Sequence, residues 1–203
     1  MGDPLPHSIT KSNEPLRSAI HALFKSVEQD LHGINAYRYH RQISGGTQEL
    51  MEALLFQHYL ENERIVTYDE AAKAMPGNVQ LTPDDYLLGL LDMTGELMRF
   101  AVTYLATNGS LPNAEEGQQH EAGGRASILT DMQLLRSHLE TIDPSPSYGL
   151  ARDFESKLKT TRASVEKVEY AVYSMLVRGK ERPKGWRPDA IEGPGDRDEI
   201  GAY

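Results

Sequence analysis

Thr82-Pro83-Asp84-Asp85-Tyr86-Leu87-Leu88-Gly89-Leu90-Leu91-Asp92-Met93-Thr94-Gly95-Glu96-Leu97-Met98-Arg99 is the stretch on which the fold turns. It opens as helices open: a hydroxyl residue at the cap, proline at the first helical position and two acids in the first turn. The pattern carries the helix to about residue 107, and between 86 and 106 the only charged residues are Asp92, Glu96 and Arg99. A helix apolar around most of its circumference is one that the rest of the protein covers. The length tempts a membrane reading, but three interrupting charges and the proline favour a buried helix of a soluble protein. Carboxylates on such a helix need a cation, a proton or a metal, because an unpaired buried charge is costly. That conflict between pattern and chemistry marks the first place to look for function.

Working outward, the flanking sequence is helical as well. Residues 1–13, with three prolines and glycines in the first six positions, read as a disordered lead. A first helix is expected from Asn13 or Glu14, with Asn13 as cap and Pro15 in the first turn, carrying Leu16, Ile20, Leu23, Phe24, Val27 and Leu31 at helical spacing. Gly33 weakens or breaks this rod, and Ile34 to Ile43 continues it. Ser44-Gly45-Gly46 reads as a turn, with Ser44 or Thr47 capping a helix over about 46–63. A short helix over 69–74 ends at Pro76-Gly77. Residues 108–124 read as a flexible loop, 126–141 as a helix, and Asp143-Pro144-Ser145-Pro146-Ser147 as a turn. A last helix over 148–178 carries Phe154, Leu158, Val165, Val168, Val172 and Leu176 and stops at Arg178-Gly179. Residues 180–203 read as a disordered tail. No strand-like alternation and no repeat stand out, so the expected class is all-α, with one domain over 14–179.

Composition narrows the function. The 203 residues are 39% hydrophobic and 25% charged, enough to bury a core. The absence of cysteine removes disulfides, thiolate metal sites and a cysteine nucleophile. No signal peptide or stop-transfer pattern is seen, so cytoplasm or nucleus is the expected location and no membrane partner is expected. A net charge of −9 disfavours nucleic acid, unless the basic surface is local or supplied by another subunit.

Two acidic pairs stand out. On a helical wheel, Glu49 and Glu52 share a face with Ala53, Phe56 and Leu60, a stripe expected to bury. Asp92 and Glu96 lie one turn apart, flanked by Leu88 and Gly89. Two such helices side by side point four carboxylates into one pocket. Oxygen ligands without thiol or imidazole suit Mg²⁺ or Mn²⁺, which clamps a phosphodiester and activates water. The bland counterpart is ion pairing, Glu96 with Arg99 and Glu49 or Glu52 with a distant Lys or Arg. A di-iron bundle needs Glu-x-x-His repeats, which this chain lacks. An all-α nucleotide pyrophosphohydrolase also uses helix-borne acidic pairs and stays open. Tyr37-Arg38-Tyr39-His40-Arg41 interleaves rings and cations, so Arg38, His40 and Arg41 are candidate RNA contacts; the alternative is a solvated helix end. His58 reads as structural. The basic run 178–184 reads as tail, and neither a phosphate-cradling glycine loop nor a GxSxG elbow is present.

The words Asp85-Tyr86-Leu87-Leu88-Gly89, Thr94-Gly95-Glu96-Leu97-Met98-Arg99, Phe56-Gln57-His58 and Lys167-Val168-Glu169 with Val177-Arg178-Gly179 resemble the translin family, over roughly residues 15–182. The likeness is nearer its catalytic branch, the translin-associated factor X proteins. It implies a translin-like antiparallel bundle of about six helices. It also implies that a further long family helix, ahead of the one starting near Glu14, is missing here. In that branch a Glu-x-x-Glu pair, matched by Glu49 and Glu52, and an Asp and a Glu four apart, matched by Asp92 and Glu96, are the Mg²⁺-dependent ribonuclease residues. The plain translin branch has other residues at the Glu49, Glu52 and Asp92 positions. The implied partners are translin, in a closed hetero-octameric shell whose interior carries the acids, and single-stranded RNA. Translin subunits would then supply the basic interior. The implied substrates are small-RNA passenger strands and transfer-RNA precursor fragments. A non-catalytic, nucleic-acid-binding scaffold subunit remains the rival within the family.

Overall fold

The computed structural model describes residues 2, 4–77, 79–112, 127–144 and 150–178. Among these are six α-helices and no strand: α1 (His7–Val27), α2 (Ile34–Asn62), α3 (Tyr68–Ala74), α4 (Pro83–Asn108), α5 (Ile128–Leu139) and α6 (Leu150–Arg178). A 3-10 turn, Glu28–Leu31, joins α1 to α2. The all-α helical bundle expected from the pattern is therefore present.

Helix α4 is the centre. It packs on α2 and α6, with α5 and α3 against its flanks, and ten of its residues are buried. Thr82 caps it by accepting the Asp85 amide, and Gly109 closes it in the left-handed conformation at φ 77°. The directions of the helices follow from their cross-contacts. Gln48 meets Asp85 and Phe56 meets Phe100, so α2 and α4 run the same way. Gln133 meets Glu169 and Arg162 meets Glu140, so α5 and α6 run oppositely. The chain returns between α2 and α4 through α3, whose Thr67 and Glu70 form a reciprocal capping box.

Gly89 sets how close α2 and α4 come. A Cβ built there would lie 2.6 Å from Met51 Cβ and 3.0 Å from the Gln48 carbonyl oxygen. Any other residue would force the two backbones apart at the level of the acidic residues. Gly95, two turns along, faces open space.

Three expectations fail in instructive ways. Helix α1 begins at His7, not at 13 or 14, and runs through Pro15; nothing in its packing explains this, since it buries no residue. Gly33 breaks the rod outright: it adopts φ 59° and ψ −130°, a conformation costly for other residues. Ser44-Gly45-Gly46 is no turn but the interior of α2, because Ser44 spends its hydroxyl on Asp85 instead of on a cap. Helices α3, α4, α5 and α6 start and end within two residues of expectation. The tail and most of the 108–124 loop lie outside the described residues.

Candidate functional site

The buried stripe of α2 is Thr47, Met51, Leu55 and Tyr59, one turn apart each. This corrects the expected face: Ala53 is exposed, Phe56 and Leu60 are half-buried, Glu49 is exposed and Glu52 half-buried. The acids therefore stand at the edge of the α2–α4 seam and not within the core. The buried stripe lies about one position from the one that the helical wheel predicts, since Met51 seats against Gly89 and rotates α2 accordingly.

Glu52 feels Asp92 across that seam and Glu49 along its own helix. The Glu52 carboxyl is raised above the usual carboxylate range, first by burial, then by the charges of Asp92 and Glu49, while Arg99 and Lys157 oppose the rise. Asp92 and Glu96 have taken protein cations. Asp92 pairs with Lys157 of α6, both side chains a little under one-third exposed, and Glu96 pairs with Arg99 one turn along α4. The full convergence expected from spacing is thus incomplete: among the described residues no group of three or more His, Cys, Asp or Glu is gathered to hold a metal ion. Four carboxylates repel one another, and those beside a lysine or arginine turn to it. The donor set nevertheless fits a hard divalent cation. It is all oxygen, and four acids against Lys157 and Arg99 leave a surplus of two negative charges.

Beside the acids lies a second cluster that the sequence reading did not find. Asp85, only 2% exposed, accepts hydrogen bonds from Ser44 at 2.5 Å, Gln48 at 3.1 Å and Thr82 at 2.9 Å, and pairs with His40 Nε2 at 2.6 Å. The same Gln48 accepts from Lys157 Nζ at 3.3 Å. A continuous polar chain therefore runs Asp92–Lys157–Gln48–Asp85–His40 along the seam. It borders a cleft of about 560 Å³ whose lining includes Arg41 and Arg152. Asp85 escaped notice because an acid in a first helical turn already has a local reason to be there. Lys157 escaped because nothing in its own helix marks it: its partners are 65 and 109 positions away.

The candidate RNA segment divides. Tyr37 is 90% exposed, and Arg38 and Arg41 are also exposed. Arg38 sits 6.0 Å over the Tyr39 ring. His40 instead turns inward to Asp85 and Thr82. His58 bonds the Arg64 carbonyl oxygen at 3.2 Å just past the end of α2, as a structural histidine does.

The translin family model matches residues 3–179, the whole bundle with both acidic helices. The chain belongs to the translin family. Within it, the chain is 29% identical to the Translin-associated protein X of Pongo abelii over 209 residues, covering 90% of this chain and 66% of that protein. It is 28% identical to the Rattus norvegicus protein of the same name, covering 93% of this chain and 68% of that one. It is also similar to the Translin-associated protein X homolog of Schizosaccharomyces pombe, at 27% identity over 89% of this chain and 71% of the homolog. The chain thus spans about two thirds of the length of these relatives. Among the described residues no helix is long and apolar enough to cross a membrane.

Proposed function

We propose that this translin-family chain is the catalytic subunit of a translin-containing assembly. Its reaction is Mg²⁺-dependent endonucleolytic cleavage of single-stranded RNA, such as small-RNA passenger strands and transfer-RNA precursor fragments. The observation that carries the reading is the close approach of α2 and α4 at Gly89, which sets half-buried Glu52, with Glu49 one turn away on α2, beside Asp92 of α4. Two helices brought together by a glycine at the very level where they carry acids spend stability on the arrangement, as functional sites do.

Glu49, Glu52, Asp92 and Glu96 would hold the cation, Mg²⁺ or, in its place, Mn²⁺. When bound, it supplies charge stabilisation to the phosphodiester and acidifies water. The half-burial of Glu52 and Asp92 excludes part of the solvent, which strengthens every charge interaction made there. Arg38 and Arg41, exposed at the far end of α2, contact the RNA backbone. Asp85 holds His40 in place behind them. With a net charge of −9, the chain draws much of its RNA affinity from translin, whose association the relatives' name records. The assembly works in cytoplasm or nucleus.

A scaffold role is favoured by one observation, that Asp92 and Glu96 already have protein partners. Labelled single-stranded RNA and nucleoside triphosphates, offered in parallel to the chain with translin, with and without Mg²⁺, decide between the readings. Mg²⁺-dependent RNA cleavage without pyrophosphate release is the expected result. RNA binding without cleavage supports the scaffold, and pyrophosphate release with intact RNA supports a pyrophosphohydrolase.

A further inference from the structure

The acid cluster carries its own counter-cation. Lys157 rises from α6 beside that helix's buried stripe of Phe154, Leu158 and Thr161. An ammonium at the margin of such a stripe normally snorkels to water. This one turns inward, donating to Asp92 and, at 3.3 Å, to Gln48 Oε1. Gln48 in turn has its amide nitrogen committed to Ser44 at 2.9 Å and Asp85 at 3.1 Å, so its oxygen faces Lys157. The lysine is thus held by two acceptors on two helices, one of them orientated by hydrogen bonds to Ser44 and buried Asp85. By contrast, the other cation of the cluster, Arg99, is 68% exposed and makes its ion pair within its own helix, with Glu96.

We infer that Lys157 is a built-in competitor for the divalent cation: its ammonium occupies Asp92 and thereby sets the cation affinity of the cluster. The inference rests on the cation-site reading proposed above. Two like-charged ions a few ångströms apart in a partly desolvated site oppose each other strongly, and both want the same carboxylate. The lysine keeps the seam electrically tolerable before a cation arrives. A cation that binds then displaces Lys157 from Asp92 or works against its charge. Removing the lysine charge therefore destabilises the cation-free protein and tightens cation binding, whereas a lysine with a purely structural role changes only the first.

The test is calorimetric titration of Mn²⁺ into the RNA-free full chain, alongside melting with and without Mn²⁺. Lys157→Gln keeps a donor toward Asp92 and Gln48 but loses the charge; Lys157→Met removes both and serves as a second variant should either fold poorly. Lys157→Arg retains the charge, and Asp92→Asn marks the site. The expected result is Mn²⁺ binding roughly tenfold tighter in Lys157→Gln than in wild type, the low end of what one nearby charge does in a partly solvated site. It comes with a lower cation-free melting temperature and a larger upward shift on adding Mn²⁺. Lys157→Arg should bind Mn²⁺ as wild type does, and Asp92→Asn should bind it markedly less. Unchanged or weaker Mn²⁺ binding in a folded Lys157→Gln or Lys157→Met protein overturns the inference and leaves the site standing. Mn²⁺ binding that is absent from wild type and Lys157→Gln alike, or indifferent to Asp92→Asn, overturns the cation-site reading and the inference together.

Discussion

Asp92 with Lys157 and Glu96 with Arg99 are two ion pairs on one helix, one turn apart, and they differ in kind. The first joins α4 to α6 and, through Gln48, to α2; its partners are each less than one-third exposed. The second joins α4 to itself, and its arginine is mostly in water. Helical spacing alone suggests the second, because residues three apart on a helix are neighbours. It cannot suggest the first, whose register depends on how α6 lies across α4. The comparison teaches that an acidic pair read as one unit in sequence can be two environments in the fold, one structural tie and one rim contact.

The largest effect expected is one that ignores this difference. If both acids hold the same cation, Asp92→Asn and Glu96→Gln should each lower RNA cleavage by the translin complex roughly a hundredfold or more, the loss expected when charge stabilisation of a phosphoryl group is removed. Single-turnover cleavage rates measure it. A loss confined to Asp92→Asn would confine the chemistry to the inner pair.

The next effect concerns the seam that brings the inner pair to α2. Gly89→Ala places a methyl against Met51 and the α2 backbone and should cost about 1–3 kcal/mol by overpacking. Gly95→Ala enters open space and should stabilise by about 0.5–1 kcal/mol through helix propensity. Urea unfolding of the two variants side by side checks the contrast, and equal effects would mean that the helices are not in contact at Gly89.

The pairs themselves should differ by less. Replacing Lys157 by Met should cost about 1 kcal/mol, discounted for partial exposure, and replacing Arg99 by Met no more than about 0.5 kcal/mol. Thermal melts in low and high salt check both, with the Arg99 pair the more easily screened.

How much of this was legible in the sequence follows from the same distinction. Helix α4 was readable because cap, proline, first-turn acids and apolar run all agreed, and α3, α5 and α6 had similarly local signals. Ser44-Gly45-Gly46 reads as a turn in sequence because two adjacent glycines have low helix propensity, whereas in the fold α2 runs through them and Ser44 donates to buried Asp85. The four acids were nameable, but their exposure was not, since rotation of α2 about its axis is set by Met51 meeting Gly89. Asp85, Gln48 and Lys157 could not be found by spacing, because each acts through a partner on another helix.

The smallest effect lies away from the site. Arg64, then Thr67, hold the Glu70 carboxyl down to about 2, below its ordinary value of 4.5. A depressed carboxyl stabilises the fold above its unfolded value and loses that contribution as pH falls through the folded value. Glu70→Gln should therefore flatten the dependence of stability on pH between about 4.5 and 2 and leave neutral-pH RNA binding unchanged. Denaturant midpoints measured across that interval check it.

The central claim, that one cation site spans α2 and α4, is tested most directly at Glu52, the acid coupled across the seam to Asp92 and beside it to Glu49. The measurement is Mg²⁺-dependent cleavage and, separately, binding of one labelled single-stranded RNA by the translin complex carrying wild-type chain or Glu52→Gln. The account predicts cleavage lost by roughly a hundredfold or more with RNA binding and fold retained. Cleavage by Glu52→Gln at the wild-type rate would contradict it.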